Sequence, residues 1–233
     1  MIPFLAAALL LPALLQGGVQ KNQDPAWEPA NDTTARLLIT QDQINQRADS
    51  WLSKYKGIVT KSSIGKTREG RDIPIYKIDT RSAKNVEHKE VMLLAGIHPR
   101  EQQPSRDLLR FMDELLAGYQ RDERITDILD RQILWVVPSF NVDGKLHDVT
   151  ERDWRKNRST NADGSRGVDL NRNFSIRWGG GRLFDKTWKT TTTNANNNIF
   201  EGTAPLSEPE SKALANFFES RPNLVAFLDI HNP

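Results

Sequence analysis

The chain contains no cysteine among its 233 residues, which excludes a disulfide-stapled scaffold and any metal site built on thiolates. A metal held here must be bound by histidine and carboxylate. An excess of charge of one sign is also lacking. There are 32 basic and 30 acidic residues, a formal net charge of +2, and no long basic run, so no nucleic-acid partner is expected. Long apolar stretches occur in one place. The first 20 residues carry no charged side chain, and their core, Ile2 to Leu15, has the length of a secretory h-region and is short for a bilayer span. We expect residues 1–20 to be a signal peptide, the mature protein to be secreted or periplasmic, and no stable membrane association after its removal.

What remains is enough for one sizeable α/β domain. Residues 21–40 are polar and read as a tail. Ile44, Ala48, Trp51, Leu52 and Tyr55 recur at helical spacing and stop near Gly57. Ile58–Gly65 and Asp72–Asp79 flank the turn Arg68-Glu-Gly-Arg71 and form a hairpin. Val91–Ile97 is continuously apolar, as in a strand buried on both faces, and runs into His98. A helix covers Gln103 to Leu116, a second buried strand covers Ile133–Val137, and a turn occupies Asn141-Val-Asp-Gly144. The polar stretch from Lys145 to Thr203 is long for a plain connection and is expected to carry function. Within it, Thr190–Asn198 is a low-complexity patch expected to be a mobile loop. Ser207-Glu-Pro-Glu210 has the pattern of a capping box opening a helix through Phe218. Leu224–Ile230 reads as a third buried strand, ending at His231. This alternation implies an α/β fold: a three-layer α/β/α arrangement with a mixed, mainly parallel sheet. Ligands bind beyond the carboxyl ends of such strands.

Two histidines follow two of those strands. His98-Pro-Arg-Glu101 places an imidazole and a carboxylate on one turn, and His231, far away in sequence, leaves a strand at the same predicted edge. Two histidines and one glutamate form a zinc ligand set that leaves a coordination position open. In Gly167-Val-Asp-Leu-Asn-Arg-Asn173, Asn171 and Arg172 can grip a carboxylate, and Asp169 can accept the free ring N–H of a metal-bound histidine. Trp154-Arg-Lys-Asn-Arg158 supplies Arg155, which, if it faces the crevice, neutralises charge developing on an attacked carbonyl oxygen.

Taken in order, His98-Pro-Arg-Glu101, Pro138-Ser-Phe-Asn-Val-Asp-Gly144, Trp154–Arg158, Gly167–Arg172, Ser207–Glu210 and Leu228-Asp-Ile-His231 resemble the zinc carboxypeptidases of the pancreatic carboxypeptidase A type. The Ser63–Arg71 hairpin is similar too. The resemblance covers roughly residues 41–233. It implies one zinc ion per chain on His98, Glu101 and His231, with Arg155 stabilising the oxyanion. It also implies that Asn171 and Arg172 bind the substrate's C-terminal carboxylate, that Arg100 binds the peptide nearer the scissile bond, and that Asp169 stands behind His98. The expected partner is the C-terminus of a peptide or protein, acted on by a monomer.

The same resemblance places a general-base glutamate and a mobile tyrosine beyond the position of His231, so we expect residues 41–233 to be a partial catalytic domain, C-terminally truncated and impaired in turnover. We count five of the eight strands that the family's sheet has, which leaves Leu224–Ile230 as an exposed apolar edge prone to aggregation. Two alternatives stay open: a non-catalytic zinc- or peptide-binding remnant, and an amidohydrolase deacylating amino acids on the same scaffold.

Overall fold

In the computed structural model the described residues are 38–80, 89–176, 178–179 and 192–232; the expected signal peptide, nearly all of the polar tail, and residues 190 and 191 of the low-complexity patch lie outside them. Helix α1 spans Gln41–Lys54 and opens with a complete capping box: the Thr40 hydroxyl accepts from the Gln43 backbone N–H and the Gln43 side chain accepts from Thr40 N–H. The hairpin follows as β1 (Val59–Lys66) and β2 (Asp72–Ile78). Next come β3 (Lys89–Ala95), α2 (Gln102–Gly118), α3 (Glu123–Arg131), β4 (Gln132–Val137) and the short α4 (Val142–His147). After an irregular stretch containing one 3₁₀ turn, Leu170–Arg172, the order ends with α5 (Pro209–Glu219) and β5 (Leu224–Ile230).

The five strands form one mixed sheet in the order β1-β2-β4-β3-β5. The hairpin half is antiparallel and the β4-β3-β5 half is parallel, so the half that delivers His98 and His231 has all its carboxyl ends at one edge. Side chains alternate between faces along each strand. One face presents Ile73, Ile75, Met92, Leu94, Trp135 and Val137 to Leu214 and Phe217 of α5. The opposite face packs under α1, where Trp51 meets Tyr76 edge-on at 5.4 Å. Asp113 of α2 accepts from Trp51 Nε1 at 2.7 Å and from Arg47 at 2.6 Å, fixing α2 beside α1. Helices thus cover both faces, as expected for three layers. No helix among the described residues is long and apolar enough to cross a membrane.

Two local expectations are corrected, and one element had no counterpart in the sequence pattern. Ser207–Glu210 does open a helix, but not through a capping box: Glu208 is the N-cap, Pro209 takes the first helical position, and no side chain caps the end. The carboxylate of Glu210 turns instead into a buried polar cluster, accepting from Arg68 N at 2.9 Å. Asn141–Gly144, read as a turn, is the start of α4; Asn141 is its N-cap and accepts from Gly144 N–H at 3.0 Å. The element without a counterpart is α3, where Asp122 caps by accepting from the N–H groups of Arg124 and Ile125.

Candidate metal centre

The site is built where the parallel strands stop. Ala95 pairs opposite Ile230 in the β3–β5 register, so the chain leaves both strands side by side. Gly96 then takes φ +74°, a left-handed conformation that bends the chain; a Cβ there would lie 3.2 Å from Ser139 Cα. The fully buried Asn141 donates from Nδ2 to the carbonyls of Ile97 (3.2 Å) and Lys156 (3.1 Å), which ties the end of β3 to the segment carrying Arg155. Gly144 allows α4 to lie against the His98–Glu101 turn, since a Cβ would meet Pro99 Cγ at 2.5 Å. The turn closes with Glu101 N–H donating to His98 carbonyl oxygen at 3.1 Å, and Glu101 is the N-cap of α2.

His98, Glu101 and His231 converge, each offering one ligand atom, and these atoms lie within 4.8 Å of one another. Nδ1 of His98 is 2.7 Å from Glu101 Oε1, and Nδ1 of His231 is 2.9 Å from Glu101 Oε2. The rings are 4.9 Å apart. Each ring's far nitrogen meets another carboxylate: His98 Nε2 is 3.0 Å from Asp169 Oδ1, and His231 Nε2 is 2.9 Å from Asp229 Oδ2. Both imidazoles therefore present Nδ1 inward. Burial pushes the Glu101 carboxyl upward, but hydrogen bonds from His231 and His98 outweigh it and hold it well below the usual carboxylate range. Asp169 is fully buried and likewise held low, its burial overridden by the bond to His98 and the charges of Arg155 and Arg172. Bonds to Asp229 and Glu101 push the His231 imidazole up to about 10.

This donor set suits a zinc ion. Two imidazoles and one carboxylate, without sulfur, match a three-ligand site with an open position, and each histidine already has the carboxylate partner such ligands use.

The other expected residues divide into two groups. Arg155 lies in the site: its Nε donates to Asp169 Oδ2 at 3.0 Å, and Nη1 is 3.7 Å from Glu101 Oε1. Asn171 lies beside it, with its Nδ2 3.4 Å from His231 Nε2, and Arg172 follows on the same 3₁₀ turn, which Asp169 caps. Arg100 stands apart, its guanidinium 3.6 Å from Asp153. Sequence reasoning missed Asp229. The signal was present, because a carboxylate two residues before a strand-end histidine shares its face.

The zinc carboxypeptidase family model matches residues 44–233. The chain belongs to the zinc carboxypeptidase family. Among carboxypeptidase relatives, it is 32% identical over 224 residues to mast cell carboxypeptidase A of Mus musculus, covering 94% of this chain and 50% of that protein. It is 34% identical over 189 residues to carboxypeptidase O of Bos taurus, covering 78% and 48%. The fold resembles carboxypeptidase A from Helicoverpa armigera, with TM-score 0.72, 26% identity and coverage of 88% and 49%. It also resembles thrombin-activatable fibrinolysis inhibitor, with TM-score 0.73, 27% identity and coverage of 83% and 47%. The chain spans about half the length of the curated carboxypeptidases it matches.

Proposed function

We propose that this protein is a zinc-dependent metallocarboxypeptidase acting on the C-terminal peptide bond of peptides, with His98, Glu101 and His231 as the metal ligands. The observation that carries this is the convergence of three donor atoms from two strand ends, each imidazole backed by its own carboxylate. A bound zinc supplies Lewis acidity toward the scissile carbonyl and activates water. The chain's own residues do the rest. Arg155, clamped by Asp169, holds a fixed positive charge beside the ligands, where charge develops on the attacked oxygen. Asn171 and Arg172 offer an amide and a guanidinium to the substrate carboxylate, and Arg100, on the metal-binding turn, binds the peptide further upstream.

The reading includes weak turnover by the 233-residue chain. Among the described residues, the carboxylates bonded to the ligand histidines are Glu101, Asp169 and Asp229, and each is engaged by an imidazole. None of the three is placed as a free base for water, and a positioned proton acceptor contributes about 10²–10⁴-fold. This feature also favours a second reading, in which the chain binds zinc and peptide without turning over. We further propose that the protein is exported, which rests on the uncharged leading residues.

The test pairs metal analysis with hydrolysis of a blocked C-terminal dipeptide. We expect one zinc per chain, lost in His98→Ala, and slow chelator-sensitive hydrolysis. Retention of one zinc by His98→Ala overturns the ligand assignment. Chelator-sensitive turnover in the ordinary enzyme range, about 1–10³ s⁻¹, overturns the expectation of impairment.

A further inference from the structure

His98 and His231 are both held from behind, but by residues of different origin. Asp169 reaches His98 from a distant loop, whereas Asp229 belongs to the strand that delivers His231 itself. Asp229 pairs opposite Leu94 in the β3–β5 register, and the two-residue spacing puts its side chain on the same face as His231. Its Oδ2 lies 2.9 Å from His231 Nε2. Its Oδ1 is buried without a hydrogen-bond partner among the described residues, so the hydrogen bond of this carboxylate is the one to His231. A buried carboxylate oxygen left without a partner is uncommon and asks for a reason. Orienting a ligand is one.

We propose that Asp229 is a positioning residue of the metal centre, fixing the tautomer and ring orientation of His231 so that Nδ1 faces the ion. This rests on the reading of His231 as a ligand. The chemistry at Nε2 sharpens it. A ring nitrogen donates or accepts, but not both. Asn171 Nδ2, a donor, approaches the same Nε2 at 3.4 Å, while Asp229 approaches it as an anionic acceptor at the shorter distance. The charge-assisted bond is the stronger one. Nε2 therefore keeps its proton and donates a hydrogen bond to Asp229, and the Asn171 amide, which has no lone pair left to donate into, is free to turn toward a carboxylate ligand. Asp229 in this way sets the metal ligand directly and the carboxylate-gripping amide indirectly.

The experiment measures zinc dissociation constants by competition with a chromophoric chelator for the full chain, Asp229→Asn and Asp229→Ser. Loss of a carboxylate behind a ligand histidine typically weakens metal binding about 10–100-fold. We expect that loss in Asp229→Ser and a smaller one in Asp229→Asn, whose amide oxygen still accepts but without charge. The metal-free variants should keep the wild-type circular dichroism spectrum and thermal midpoint, which separates positioning from folding. In the zinc-loaded chain, ¹⁵N NMR should show His231 protonated at Nε2. If wild type binds one zinc and Asp229→Asn and Asp229→Ser bind it equally tightly, the proposal is overturned while the metal reading stands. Should Asp229→Ser fail to fold, the near-isosteric Asp229→Asn decides by the same criterion. A wild-type chain that binds no zinc overturns both.

Discussion

Lys145 is 3% exposed, an unusual place for an ammonium. It sits behind the His98–Glu101 turn, donating to the Pro99 carbonyl at 3.3 Å and to the Gln102 side chain, and Gln102 in turn donates to Asp148 at 2.7 Å. Burial pushes its pKa down to about 8, with Asp148 opposing that shift. The folded value lies below the unfolded one, so the charged form is disfavoured by folding. The resulting cost is present in full below about pH 8 and disappears as the pH rises toward about 10.5, on the order of 3 kcal/mol across that window. Denaturation of wild type and Lys145→Met at about pH 7 and about pH 10 should therefore show wild type gaining stability relative to the variant at the higher pH. Parallel profiles would mean that Lys145 does not titrate in this window. At this scale the sequence was readable where chemistry and spacing coincide, as at His98-Pro-Arg-Glu101. It was silent on Lys145, since a lysine after Asn-Val-Asp-Gly has the composition of a solvated turn and only packing of α4 on Pro99 buries it.

Among the elements, β5 is the apolar edge strand of the parallel half. It pairs with β3 on one side, lies at the end of the strand order, and leaves Val225 55% and Leu228 38% exposed. An apolar edge strand with open backbone groups is a template for other chains. Val225→Lys should reduce concentration-dependent light scattering of the 233-residue chain while leaving its thermal midpoint within about 1–2 °C, because a surface change of this kind alters stability by about 0.5 kcal/mol or less. Undiminished scattering would place the self-association elsewhere. Strands β3, β4 and β5 were legible as elements because each contains a short apolar run, and β1 and β2 because a tight turn separates two β-like runs. Helices α3 and α4 were not read. α3 buries one residue, Leu129, so its stripe of Ile125, Ile128 and Leu129 is too short to stand out by period, although the Asp122 cap marks its start. α4 has six residues and is held by tertiary contact with Pro99, which no local pattern records. The same holds for Glu210, whose spacing from Ser207 suggests a capping box but whose carboxylate is drawn into the cluster with Arg68 and Asn157.

For the molecule as a whole, the division of the sheet explains where the site lies. The antiparallel hairpin half frames the fold, while the parallel β4-β3-β5 half brings two chain exits to one edge, and the irregular stretch between α4 and α5 supplies Arg155, Asp169 and Asn171 around them. The convergence of His98 and His231 followed from two apolar runs each ending in histidine; the order of the strands did not, because β3 inserts between β4 and β5 through pairings that sequence spacing leaves open. The central claim is that one zinc is held by two imidazoles from separate strand ends and one carboxylate. Zinc K-edge X-ray absorption on the wild-type chain and on His231→Ala tests it most directly. The account predicts two imidazoles at about 2.0–2.1 Å with oxygen ligands and no sulfur, and one imidazole in the variant. An unchanged imidazole count in His231→Ala would contradict it.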